Sequence, residues 1–152
     1  MKKFKTIFTT GSYDLLHCGH VNIFHKAKAL GDYLIVGVST DELIKSYKGV
    51  NPIIKFDDRA SLIKELRCVD EVVMQRTLVD IDQFIGLKAD IFVLGDDWKD
   101  NYSNTGINWL RNHDKIVWVP YTEHLSTSKI KASIIKHADS LSYNLKLRKK
   151  ND

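Results

Sequence analysis

Apolar and polar positions along the chain follow two rhythms that alternate from one end to the other. KTIFTT (residues 5 to 10) is a short β-branched run ending at Gly11. After a polar loop, HVNIFHKAKAL sets Val21, Phe24, Ala27 and Leu30 at helical spacing. Gly31 is expected to stop that helix at its C-terminal end, and YLIVGVS (33 to 39) is a continuous apolar run of the kind found in strands buried on both faces. A strand, a helix and a second strand are therefore complete by Ser39.

The alternation continues with less regularity. Asp41 and Glu42 open a helical turn, whereas YKGVNPIIKF (47 to 56) holds Gly49 and Pro52 and reads as a functional, lid-like loop. DDRASLIKELRC (57 to 68) is an amphipathic helix with Asp57 and Asp58 at the positive end of its dipole. Strand VDEVVMQ, helix DIDQFIGLKA, strand DIFVLGDD, a short helix through INWLRN, and strand KIVWVPY follow, and a last helix starts near Ser126 or Thr127. Five strands separated by helix-length crossovers predict an α/β fold, a Rossmann-like, doubly wound, mainly parallel five-stranded sheet with helices on both faces. Residues 1 to 140 are read as this domain and 141 to 152 as a basic tail.

Composition narrows the function. The 152 residues suffice for one domain, and 43% hydrophobic with 28% charged residues is ordinary globular usage. The net charge of +4 suggests nucleic acid until its distribution is examined: the last eight residues, LKLRKKND, carry +3 of it, which leaves a nearly neutral body suited to small molecules. No apolar run approaches the roughly 20 residues of a membrane helix, so a cytoplasmic protein without membrane insertion is expected. Cys18 and Cys68 are too few for a disulfide framework and are read as reduced thiols.

In a sheet of this kind ligands bind beyond the carboxyl ends of the strands, and the chemistry-bearing segments do follow strands: GSYDLLHCGH (11 to 20), GDDW (95 to 98) and YTEHLSTSK (121 to 129). GxGxxG after the first strand and GxxxxGK[ST] are both absent, which removes the usual dinucleotide and P-loop signatures. His17 and His20 instead stand three residues apart at a helix N-terminus, beside unpaired backbone N–H groups, with Gly19 available for close approach of a phosphate. Three readings of this segment are open: an anion site, a metal site using His17, Cys18 and His20, and histidines that only cap and pack.

GSYDLLHCGH resembles the HxGH signature of the nucleotidyltransferase superfamily. LGDYLIVGVSTDE, RCVDEVV, GDDW and TEHLSTSKIK are together similar to the glycerol-3-phosphate cytidylyltransferases, over roughly residues 5 to 135. That resemblance implies transfer of CMP from CTP to glycerol 3-phosphate, giving CDP-glycerol and pyrophosphate for a cell-surface polymer, with Mg²⁺ as cofactor and a homodimer as the assembly. It implies catalytic roles for His17, His20, Lys48 and Arg67, with Lys45 a weaker companion to Lys48. It implies nucleotide contacts from Thr10, Gly11, Ser12, Asp14, Gly19, Asp97, Trp98, Thr122, Ser126 and Thr127, with Asp97 also near the metal. Asp14 fits either loop shaping or metal organisation. Two positions depart from the family pattern: Tyr121 stands where an arginine is usual, and His124 where a glycine is. They leave room for another phospho-alcohol or phospho-sugar acceptor, or for ATP. Against a non-catalytic nucleotide binder stands the complete set of His17, His20 and Lys48.

Overall fold

The computed structural model describes residues 4 to 99 and 105 to 138. The basic tail assigned to residues 141 to 152 lies outside the described residues. Among the described residues twelve elements run β1 (Phe4–Gly11), α1 (Cys18–Leu30), β2 (Gly31–Ser39), α2 (Asp41–Lys48), α3 (Phe56–Lys64), β3 (Glu71–Gln75), α4 (Ile81–Gly86), β4 (Ile91–Gly95), a 3₁₀ turn (Asp96–Trp98), α5 (Thr105–Asn112), β5 (Ile116–Val119) and α6 (Thr127–Lys136). The strands form one sheet in the order β3, β2, β1, β4, β5. Every pairing in it is parallel. This is the doubly wound arrangement, and its order reverses between β1 and β4, where a crevice opens beyond the strand ends.

Period-two alternation in β1 decides which residue enters which core. Ile7 packs with Phe24 and Ala27 of α1 and Ile63 of α3 on one face. Phe8 packs with Phe84 of α4 and Ile107 and Leu110 of α5 on the other. Both residues are fully buried, as a strand covered on both sides requires. Two carboxylates tie the amino ends of the strands: Asp90 accepts from the Lys5 and Thr6 N–H groups at 2.9 and 2.8 Å. Asp70 accepts from the Leu34 N–H at 2.6 Å and from Lys28 at 2.5 Å. The opposite, carboxyl edge is left for the site.

Two local expectations need correction, whereas a third holds: Gly31 stops α1 at its C-terminal end, with an extended φ of −155°, and is already the first residue of β2. Its lack of a side chain matters because a Cβ there would lie 2.6 Å from Ile7 Cγ1 and 2.8 Å from the Phe4 carbonyl. The helical turn at Asp41 continues for eight residues, so Lys48 sits in the last turn of α2, and Gly49, at φ 75°, caps that helix in the left-handed region. The helix lasts because Thr40 accepts from the Leu43 N–H at its start while Leu43 and Ile44 bury one side. The GDDW strand end leaves the sheet at Gly95 and turns into the 3₁₀ segment.

Candidate active site

A solvent-open cleft lies beyond the carboxyl ends of the strands. The end of β1 and its loop supply Thr9, Thr10, Gly11, Ser12 and Tyr13; α1 supplies His20 and Ile23; β4 and the 3₁₀ turn supply Gly95, Asp97 and Trp98. Tyr121 closes the side beyond β5, and Ser39, Tyr47, Lys48 and Gln75 close the side of β2 and β3. Thr10, Gly11, Ser12, His20, Lys48, Asp97 and Trp98 are thus brought together as the sequence led one to expect.

The two histidines form a stacked pair, ring centroids 3.8 Å apart with 25° between planes. His17 is the N-cap of α1, and its Nδ1 accepts from the Gly19 N–H at 3.1 Å. An imidazole whose Nδ1 accepts carries its proton on Nε2. That Nε2 is buried and unpartnered, and so is His20 Nδ1. A buried polar atom without a partner costs on the order of 1 to 3 kcal/mol, which a ligand atom seated here would offset. Burial lowers the His17 pKa, and burial, with the neighbouring His17 and Lys48 charges, pushes His20 down to about 3. At neutral pH both rings are therefore uncharged hydrogen-bonding groups. The capping reading is what the structure shows for His17, which does not itself line the cleft but stacks on His20, which does.

Lys48 reaches the same region from α2, its Nζ 3.2 Å from Ser12 Oγ. Burial lowers its pKa, helped by Lys131. Asp97 faces the cleft with its carboxyl pKa raised by burial and by Asp96, while Asp96 itself accepts from the Tyr121 N–H at 2.9 Å. Tyr121 is thereby fixed at the cleft wall.

Asp14 has a structural task. Its carboxylate, nearly fully buried, accepts from the Ile53 N–H at 3.0 Å and the Ile54 N–H at 3.0 Å and pairs with Lys131 at 2.9 Å. Burial alone would raise its pKa; the Ile54 and Ile53 N–H groups and Lys131 outweigh it and hold the carboxyl below its usual range. With its oxygens so committed, Asp14 shapes the loop. Among the described residues no cluster of three His, Cys, Asp or Glu side chains is set to hold a metal, which leaves Asp97 as the carboxylate that faces the cleft. One carboxylate with substrate phosphates is a usual Mg²⁺ environment, so the residues present fit that ion.

Other expected residues stand behind the cleft or away from it. Gly19 does not offer its amide to a phosphate, because that N–H is held by His17. A Cβ at Gly19 would meet the His17 ring at 2.8 Å, so the glycine makes room for the imidazole. Ser126 caps α6 by accepting from the Lys129 N–H, and Thr127 donates to the Asp14 carbonyl at 2.7 Å, fastening α6 to the first loop. Thr122 accepts from Asn22 at 3.3 Å on the exposed side of α1. Arg67 is exposed and lies between α3 and the amino end of β3, whereas the cleft is at the carboxyl end of that strand. The structure does not bring it to the site.

The arginine that does support the cleft is Arg59, only 1% exposed. It donates to the Ile54 carbonyl at 2.8 Å, the Ser12 carbonyl at 2.5 Å and the Asp41 carboxylate at 2.6 Å. One side chain so joins the first loop, the start of α2 and the segment before α3. The sequence carried a signal for it: Phe56, Arg59, Ala60 and Ile63 have apolar-stripe spacing, so Arg59 occupies a core-facing position of α3.

Comparison with known proteins adds identity to this geometry. The cytidylyltransferase-like family profile matches residues 8–138. The glycerol-3-phosphate cytidylyltransferase of Bacillus subtilis (strain 168) is 38% identical over 133 residues, 86% of this chain and 97% of that protein. The bifunctional protein HldE of Helicobacter pylori (strain ATCC 700392 / 26695) is 50% identical over 95 residues, 62% of this chain but 21% of that protein. The crystal structure of the lipopolysaccharide core biosynthesis protein from Thermoplasma volcanium GSS1 superposes with a TM-score of 0.67 at 28% identity, covering 79% of this chain and 99% of that one.

Proposed function

The chain belongs to the cytidylyltransferase-like family, and from that premise we propose that it transfers CMP from CTP to glycerol 3-phosphate, releasing pyrophosphate and forming CDP-glycerol. The observation that carries this reading is the stacked pair of neutral imidazoles, each with a buried unpartnered nitrogen, set near Lys48. Such a group of donors suits a polyanion whose charge shifts between oxygens during reaction.

The chemistry asks little else of the protein. The attacking group is the acceptor's own phosphate, with a second pKa near 6, so it is an anion at neutral pH and needs no general base. Its oxygen bonds to the α-phosphorus of CTP while the bond from that phosphorus to the pyrophosphate oxygen breaks. Catalysis is then alignment of two anions and neutralisation of their repulsion. His17 Nε2–H donates to the triphosphate, Lys48 lies between the α-phosphate and the incoming phosphate, and Trp98 with Tyr121 flanks the nucleoside. Asp97 would hold Mg²⁺ together with the phosphates, and the ion would supply charge neutralisation for the leaving pyrophosphate. The product is an activated alcohol suited to cell-surface polymer synthesis, and the working unit is a homodimer in the cytoplasm.

The 50% identity to that bifunctional HldE protein, higher over its shorter span than the 38% to the glycerol-3-phosphate enzyme, favours a second reading in which the acceptor is another phosphorylated alcohol or sugar, or the donor is ATP. A matrix of nucleoside triphosphates against phosphorylated alcohols and sugars, scored by pyrophosphate release with and without EDTA, separates the two. CTP with glycerol 3-phosphate is expected to be best and to require the metal. Release with ATP and not CTP would overturn the nucleotide assignment.

A further inference from the structure

The cleft extends past Lys48 to a pair of polar side chains that the transfer chemistry leaves unused. Ser39 ends β2 and Gln75 ends β3, facing each other across the register pairing of those strands. Both are 1% exposed, and both line the cleft. The Ser39 hydroxyl donates to Gln75 Oε1 at 2.8 Å, and the carboxamide is so oriented that its oxygen is used. Its Nε2 is the polar atom of this pair that Ser39 does not engage. Tyr47, whose phenol lies close to the Ser12 and Ser39 hydroxyls, forms the neighbouring wall, and Leu78 and Val79 supply an apolar floor.

A buried polar pair at the ends of two adjacent strands is costly unless something uses it. The two ends of the cleft also differ in chemistry. Trp98 and Tyr121 form an aromatic end beyond β4 and β5, fit for a planar base, whereas Ser39, Tyr47 and Gln75 form a compact hydrogen-bonding end beyond β2 and β3. His20 and Lys48 line the same cleft. A short molecule whose phosphate meets Lys48 and whose body points away from the nucleoside extends toward Gln75.

We propose that Gln75, oriented by Ser39, is the acceptor-selecting residue, its Nε2–H donating to a non-reacting hydroxyl of the phosphorylated polyol. This subsite rests on the transfer reaction proposed above and adds to it the reason a hydroxylated acceptor is chosen over a plain alkyl phosphate. A site built to hydrogen-bond a substrate hydroxyl rejects the analogue lacking it, because its own polar group is then left unpaired in a buried place.

The test compares glycerol 3-phosphate with propyl phosphate, which keeps the attacking phosphate and lacks both hydroxyls. Values of kcat/KM are measured with CTP for the parent, Gln75→Leu and Ser39→Ala. The parent should prefer glycerol 3-phosphate. Gln75→Leu should reduce that preference by about 10- to 100-fold, the scale of one buried hydrogen-bonding group left unmade. Ser39→Ala, which keeps the carboxamide but releases its orientation, should reduce it by a smaller factor. This second variant needs no change of shape at position 75, so it reads the subsite even if Gln75→Leu folds poorly. A parent inactive with CTP and glycerol 3-phosphate overturns the reaction and the subsite with it. An active parent whose variants lose equal factors on both acceptors overturns the subsite alone.

Discussion

Replacing Arg59 by Met removes the guanidinium while keeping a flexible chain of similar reach, and the structure allows its cost to be worked out. The Ser12 and Ile54 carbonyls lose their donors at 2.5 and 2.8 Å, and each unsatisfied buried group costs on the order of 1 to 3 kcal/mol. Asp41 loses its cation but, at 29% side-chain exposure, is rehydrated. The total expected is about 3 to 5 kcal/mol, the sum over the two carbonyls that lose their donors. With a urea m-value of about 2 kcal/mol/M, the unfolding midpoint should fall by roughly 1.5 to 2.5 M. Asp41→Asn keeps an accepting oxygen for Arg59 and should lose no more than about 1 kcal/mol. Turnover should drop in Arg59→Met as well, because the first loop and the start of the helix that carries Lys48 are released together. Urea titration by circular dichroism, with pyrophosphate release measured alongside, reads both effects. A midpoint within 0.5 M of the parent, converted at about 2 kcal/mol/M, would refute the strut, as would an Asp41→Asn loss equal to that of Arg59→Met.

Further outcomes follow from the histidine pair and the cleft wall. His20→Ala should cut turnover by about 10² to 10³; His17→Ala should do the same and also lose about 1 kcal/mol of stability with its cap, whereas His17→Asn should restore stability without turnover, so equal melting of the Ala and Asn variants would contradict the dual role. Because His20 titrates near 3 when folded and near 6.5 when unfolded, the unfolded chain binds more protons in between. Stability complete above pH 6.5 should therefore be lost as pH falls, by up to about 2 kcal/mol at pH 5, and a His20→Gln variant that loses as much over the same interval would refute this. Tyr121→Arg places a cation at the cleft wall and should tighten CTP binding by about 1 to 2 kcal/mol in calorimetric titration; unchanged affinity would rule out a missing-cation account of this departure.

Much of the fold was legible because YLIVGVS, EVVM and IFVLG are runs that only a sheet covered on both faces accommodates. The loop after β1 was legible because its residues are consecutive. Lys48 was placed in a loop because Gly49 and Pro52 dominate that stretch, while the short helix before them depends on Leu43 and Ile44 finding a core. Arg59 escaped notice and Arg67 drew it for one reason: the partners of Arg59 lie 47, 18 and 5 residues away, and a side chain's burial is decided by such distant contacts rather than by its neighbours in sequence. Gly19 was assigned to phosphate because the sequence does not reveal that the His17 ring already fills that space.

The bond from Thr127 to the Asp14 carbonyl joins positions 113 residues apart, and it sets an order of events during synthesis. The first loop leaves the ribosome early, yet its clasp is encoded near the other side of the domain. At roughly 5 to 20 residues per second, a nascent chain carries that loop unfastened for about 6 to 23 seconds. Through that interval Asp14 also lacks Lys131, and the histidines lack a fixed frame. The first loop is therefore expected to become fastened only when α6 emerges and docks. Limited proteolysis of ribosome-stalled chains of increasing length would read that step as the point at which the first loop becomes protected.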